Sequence, residues 1–215
     1  MKIYIVRHGE TKLNSQGRIL GWTDDLLNDM GILLARETGK AMKEMGLTFD
    51  AVFSSPLSRA RQTAEIILSE MDLDTEIQFD TRIMEMDMGD FDCKSADPEK
   101  HELDPAFVEC FQRRPLELPA FPNGESFRDV MARTQEFLRE LAGKSYESVL
   151  VTTHGCALRC MLNFLYENPD NFWQGHAPYN CCVNVVEAID GELSLIERDL
   201  VLYDKKLCVD RYKVR

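Results

Sequence analysis

The sequence predicts an α/β fold, a three-layer α/β/α sandwich around a mainly parallel central sheet. Three observations carry that expectation. KIYIVRH (2–8), DAVFSS (50–55) and SVLVTTH (148–154) are apolar on both faces, the pattern of central parallel strands covered by helices on each side. Stretches of helical periodicity separate these runs, so strands and helices alternate along the chain. Each run also ends in a polar segment at its carboxyl end, where such sheets bind ligands.

After the first strand, NDMGILLARETGKAMKEMG (28–46) is expected to be a helix, with Leu33, Leu34, Glu37, Ala41 and Met45 marking its period and Gly46 its stop. SPLSRARQTAEIILSEM (55–71) is expected to form another, with Ser55 as N-cap, Pro56 at its first position and Leu57, Ala60, Ala64 and Ile67 on one face. EIQFDTRI (76–83) reads as a further strand. From about 86 to 123 the chain is rich in Pro, Asp and Glu without sustained periodicity, which predicts an irregular cap holding one short helix. GESFRDVMARTQEFLRELAG (124–143) and the segment after His154 are expected to be helical, and 181–189 with 192–199 to form a hairpin around Asp190-Gly191. With 215 residues, 44% of them hydrophobic, one sizeable core suffices, so residues 1–215 are expected to form a single domain with the cap inserted in it.

Composition narrows the function. A formal net charge of -12 opposes binding to nucleic acid or anionic membranes, whose phosphates demand a surplus of Lys and Arg. A small phosphorylated metabolite is a different matter, because a few cations focused in a cleft reverse the local potential. The seven cysteines are odd in number and lack CxxC spacing, which fits neither a disulfide framework nor a zinc site and points to a reducing cytoplasm. No leader pattern or long apolar stretch is present, so a soluble protein with no membrane partner is expected, as a monomer or homodimer.

The three strand ends carry the chemistry. The first runs into Arg7-His8-Gly9-Glu10-Thr11, the second into Ser54-Ser55-Pro56 with Arg59 and Arg61 beyond, and the third into His154-Gly155. Arg59 falls in the first turn of its helix, where the macrodipole disfavours a cation unless an anion is bound nearby. Gly155 opens a helix after His154 and offers backbone N–H groups to an anion. Arginines, imidazoles and a helix N-terminus together describe a phosphate pocket. His101 and His176 receive no role, and Arg61 is as compatible with a solvent-facing position as with the pocket.

RHGETKLN (7–14), GRILGWTDDLLNDMG (17–31), SSPLSRARQTA (54–64), Glu85 and THG (153–155) resemble the signature of the histidine phosphatase superfamily, which includes the cofactor-dependent phosphoglycerate mutases. The resemblance implies a phosphoglycerate mutase-like fold with His8 as the nucleophile. It implies that Arg7, Arg59 and His154 bind the phosphoryl oxygens, that Asn14 lines the same pocket, and that Glu85 is the general acid and base. No metal or cofactor is then required, since fixed cations stabilise the charge that develops on the phosphoryl group.

Mutases of this family carry a longer insertion between the general acid and the helix corresponding to GESF. The short segment here resembles the phosphatase branch, so hydrolysis of a small phosphomonoester is the expected activity. A phosphoglycerate mutase using 2,3-bisphosphoglycerate is the alternative, for which Arg113 and Arg114 in the cap are suited to gripping a substrate carboxylate or a second phosphate. A catalytically silent phosphate-binding module is the second alternative. Leu20 stands where a polar residue is common in the family, and Asp92-Cys93 where Glu-Gly often follows the general acid.

Overall fold

A computed structural model describes residues 1–209; residues 210–215 of the expected domain lie outside the described residues. Its sheet centres on β1 (Lys2–Arg7) and β4 (Ser148–Thr153), paired in parallel. β2 (Ala51–Ser54) and β3 (Ile77–Phe79) continue the parallel side, and the hairpin of β5 (Val183–Ile189) and β6 (Glu192–Leu200) closes the other edge antiparallel. The strand order is β3-β2-β4-β1-β5-β6. Asp190 and Gly191, at φ 52° and 84°, make the hairpin turn, a left-handed pair that favours Asp-Gly.

The alternation of β1 divides the core. Ile3 and Ile5 pack with Leu138, Leu158 and Met161 from α5 (Phe127–Ala142) and α6 (Gly155–Leu162). Tyr4 and Val6 pack on the opposite face with Met42, Ala64 and Ile67 from α2 (Asp29–Glu44) and α3 (Ser58–Glu70). These are the three layers expected, with both faces of the central strands buried. Between β1 and α2 lies the single turn α1 (Lys12–Ser15), closed by a capping box between Thr11 and Asn14.

Two helices differ from expectation in detail. In α2 the buried stripe is Leu34, Ala35, Thr38 and Met42, while Leu33 and Met45 face solvent at 41% and 54% exposure. The small residues on that stripe let α2 approach α3 closely, and a Cβ on Gly39 would stand 2.9 Å from Glu70. Helix α3 begins at Ser58 rather than Pro56, and Asp24 from a separate loop caps it, accepting from Ser58 N at 2.8 Å and Ser58 Oγ at 2.6 Å. Ser55 is not the N-cap residue, since the helix starts three residues later; its Oγ meets His154 Nε2 at 2.7 Å and accepts from Leu57 N at 3.3 Å.

The 86–123 segment is irregular in backbone, with α4 (Pro105–Arg113) and several short 3-10 turns, yet it owns a core. Phe111 and Phe121 are buried together with Phe127, Phe172 and Trp173, their rings meeting at tilted and edge-on angles. The cap is thereby packed onto the end of the sheet where β1 and β4 stop. The chain leaves β1 toward α2 on one face and β4 toward α6 on the other, so a crevice opens between their carboxyl ends. Among the described residues, no helix is long and apolar enough to cross a membrane.

Candidate active site

His8 follows β1 directly and is pinned through its backbone: its N–H donates to Thr153 O at 2.9 Å, and its carbonyl accepts from Asn180 Nδ2 at 3.0 Å. The sharp passage after it depends on glycines. A Cβ on Gly9 would stand 2.6 Å from Gly31 O, and one on Gly31 would stand 2.1 Å from Glu10 O, so the first loop and the start of α2 touch backbone to backbone. His8 Nδ1 lies 2.7 Å from Gly9 O. A carbonyl only accepts, so Nδ1 carries the proton and Nε2 keeps the lone pair. Burial foremost, then the charges of Arg59 and Arg7, pushes the His8 pKa well below 6.5 and keeps the ring neutral.

Arg7 is 6% exposed and donates through Nη1 to Pro178 O. Its Nε is buried and finds no hydrogen-bond partner among the described residues. Buried N–H groups are nearly always paired, so this donor, on a side chain that lines the cavity, is available to an acceptor bound there. Gly155 lies against this donor, a Cβ there standing 3.4 Å from Arg7 Nε, an ordinary contact distance.

Arg59 and His154 are fully buried and lie behind His8, the two imidazole centroids 5.1 Å apart. Arg59 donates from Nε to His154 Nδ1 at 3.1 Å, from Nη1 to Thr23 O at 3.0 Å and from Nη2 to Gly21 O at 2.7 Å. His154 Nδ1 is therefore an acceptor, which places its proton on Nε2, donated to Ser55 Oγ. Burial and the Arg59 charge push the His154 pKa well below 6.5 as well. Both ring nitrogens of His154 are engaged, so this pair braces His8 from the rear.

Glu85 is 5% exposed and sits on the first turn of α6. Its Oε1 accepts from Met86 N and Ala157 N, each at 2.9 Å, and its Oε2 from Cys156 N at 3.2 Å. A carboxylate suits this place, where unpaired N–H groups and the helix dipole converge.

His8, Arg7, Asn14, Glu85 and Gly155 line one cavity, while Arg59 and His154 do not reach its wall. Arg113 and Arg114 are not part of the lining. Both are exposed, and Arg114 is paired with Glu117 at 2.8 Å, because the buried side of α4 belongs to Val108 and Phe111. Arg61 is likewise outside, 3.7 Å from Glu65 on the solvent face of α3. His176 stacks on Tyr179 and lies 3.6 Å from Asp199.

Sequence reasoning missed the groups that hold these residues. Arg133 donates to the carbonyls of Arg82, Met84 and Glu85 at 2.8, 2.8 and 2.9 Å and pairs with Glu125, fixing the Glu85 loop to α5. Asp92 accepts from Gly21 N at 2.7 Å and Thr23 N at 2.8 Å, holding the two residues whose carbonyls receive Arg59. Arg159, fully buried, pairs with Asp199 at 2.7 Å and donates to His176 O beneath the wall that carries Pro178. Asp92 is visible in the sequence as a departure from the family pattern, whereas Arg133 and Arg159 lie within helical periodicity and carry no local signal of their role.

Comparison with known proteins agrees with this geometry. The first-branch model of the histidine phosphatase superfamily matches residues 3–199. A 2,3-bisphosphoglycerate-dependent phosphoglycerate mutase from Allorhizobium ampelinum is 36% identical over 170 residues, which cover 76% of this chain and 78% of that protein. Bacillus stearothermophilus YhfR superposes with a TM-score of 0.82 at 28% identity, covering 93% of this chain and 97% of that one. An alpha-ribazole phosphatase from Shigella flexneri shares the fold, with a TM-score of 0.77 at 21% identity over 94% of this chain and 98% of its own. With His8 and His154 meeting at the ends of β1 and β4 and the family pattern running through almost every element, the chain belongs to the histidine phosphatase superfamily, branch 1.

Proposed function

We propose that the protein hydrolyses small phosphomonoesters through a phosphohistidine at His8, without a metal or organic cofactor. The observation that carries this reading is the tautomer of His8: Nδ1–H held by Gly9 O leaves Nε2 as the nucleophile beside the unpartnered Nε of Arg7.

Nε2 attacks phosphorus, the P–N bond forms, and the P–O bond to the leaving alcohol breaks. Arg7, the Gly155 N–H and Asn14 bind the phosphoryl oxygens. Arg59 supplies positive potential behind them, and the neutral His154, engaged at both ring nitrogens, fixes the geometry, which lowers the barrier because the groups need no reorganisation as charge develops. Glu85 gives its proton to the leaving oxygen. That proton belongs on Oε2, which holds a single contact at 3.2 Å, whereas Oε1 already accepts two. Water then attacks the phosphohistidine, Glu85 takes its proton, and inorganic phosphate leaves. Seven free thiols support a reducing, cytoplasmic setting.

The mutase reading is favoured by one observation, the phosphoglycerate mutases at 32–36% identity. Against it stands the lining, in which Arg113 and Arg114 take no part and Arg7 is the one arginine or lysine among the described residues. Phosphate release should be measured across phosphorylated sugars, glycerates and nucleotides, in chelator, with and without 2,3-bisphosphoglycerate, beside His8→Ala. Release lost in the variant supports the phosphatase. Isomerisation of phosphoglycerate that depends on the bisphosphate, without release, would establish the mutase.

A further inference from the structure

The cavity is built from two kinds of surface. His8, Arg7, Asn14 and Glu85 can engage one phosphoryl group; opposite in chemistry are Leu20, Met88, Phe111 and Trp173. Trp173 is 5% exposed, and its indole N–H is spent on Phe111 O at 2.8 Å, so it offers a substrate only its apolar ring. Phe111 and Phe172 flank that ring at 5.4 and 4.9 Å, which fixes its orientation. Leu20 precedes Gly21, whose N–H is held by Asp92 and whose carbonyl is held by Arg59, so its place in the wall is fixed as well.

A second anionic group on the substrate meets no compensating charge along this wall. Arg7 is the only cation of the lining among the described residues, and its Nη1 is already committed to Pro178 O. Arginines outside the lining are held by other partners: Arg18, in the loop after α1, is paired with Glu102 at 3.0 Å, and Arg114 in the cap with Glu117. Desolvating a carboxylate against Leu, Met, Phe and Trp without a partner opposes binding strongly. An apolar group in the same place gains by its burial.

We infer that this wall selects phosphomonoesters whose alcohol is uncharged and apolar, with an aromatic ring the best fit, and rejects those bearing a second anionic group. The inference rests on the phosphatase reading. Hydrolysis then yields inorganic phosphate and an apolar alcohol, and Leu20 is a specificity-determining residue.

The test compares benzyl phosphate with glycerol 3-phosphate, both leaving as alkoxides, and with 3-phosphoglycerate as the doubly anionic competitor. Benzyl phosphate should exceed glycerol 3-phosphate by about 30-fold and 3-phosphoglycerate by about 100-fold in kcat/KM. Leu20→Gln, which puts a polar amide of similar length in the wall, should narrow the first ratio at least about threefold. Binding of the same three compounds to His8→Ala, followed by tryptophan fluorescence, tests the wall without turnover and should keep the order. Ratios near unity that Leu20→Gln leaves in place overturn this inference while leaving the phosphatase reading intact. Ordered binding with no hydrolysis of any compound supports the wall and overturns the phosphatase reading.

Discussion

Lowering the pH from 7.5 to 5.5 should destabilise the folded protein by up to about 3 kcal/mol through His8 and His154 alone. Burial, and after it the charge of Arg59, holds both imidazoles well below the ordinary value of 6.5. The unfolded chain takes up a proton at each site as pH falls through 6.5, and the folded chain does not. The stabilisation is therefore complete above the unfolded value and is lost as pH falls from it toward the depressed folded value. For one such group the loss over this interval approaches RT times the logarithm of the unfolded-state proton-binding ratio, between about 1 and 2 kcal/mol, and the pair doubles it. Urea unfolding at the two pH values, in buffer free of phosphate, measures it, since a bound anion would favour the protonated rings. His8→Asn should remove about half of the acid loss. A stability that stays level between the two pH values, or rises with acid, would refute the neutral buried pair.

Arg133→Ala removes the donor that holds three carbonyls of the Glu85 loop; kcat should fall about tenfold or more with KM little changed, read by steady-state kinetics. Asp199→Ala leaves Arg159 buried without its partner and should cost about 3–5 kcal/mol in urea unfolding; a loss below 1 kcal/mol would show the pair to be dispensable. Gly31→Ala forces a methyl group to within 2.1 Å of Glu10 O and should destabilise by at least about 1–3 kcal/mol in the same assay.

Much of this architecture is legible in the sequence because it depends on local pattern. The apolar runs that became β1, β2 and β4 are buried on both faces, and Asp190-Gly191 turns where turn chemistry demands. Residues at strand ends were equally legible, since the sheet itself brings His8, Ser55 and His154 together. What could not be read depends on contacts distant in sequence. The side chain that caps α3 is Asp24, 34 residues before Ser58 in the sequence, and no local signal singles it out over Ser55. Packing of Phe111 and Phe121 with Phe172 and Trp173 joins segments without periodicity, so the cap read as irregular although its core is aromatic and dense. Arg113 and Arg114 looked attractive as adjacent cations, yet on α4 the apolar face decides which side is inward, and it turns both to solvent.

The central claim is that a phosphoryl group passes through His8 Nε2. Rapid acid-free quenching during turnover of benzyl phosphate, followed by mass mapping of the phosphorylated peptide, tests it most directly. An acid-labile, base-stable adduct on His8 is expected, formed in step with alcohol release and absent from His8→Ala. Alcohol released with no adduct at His8, or an adduct on another residue that persists in His8→Ala, would contradict it.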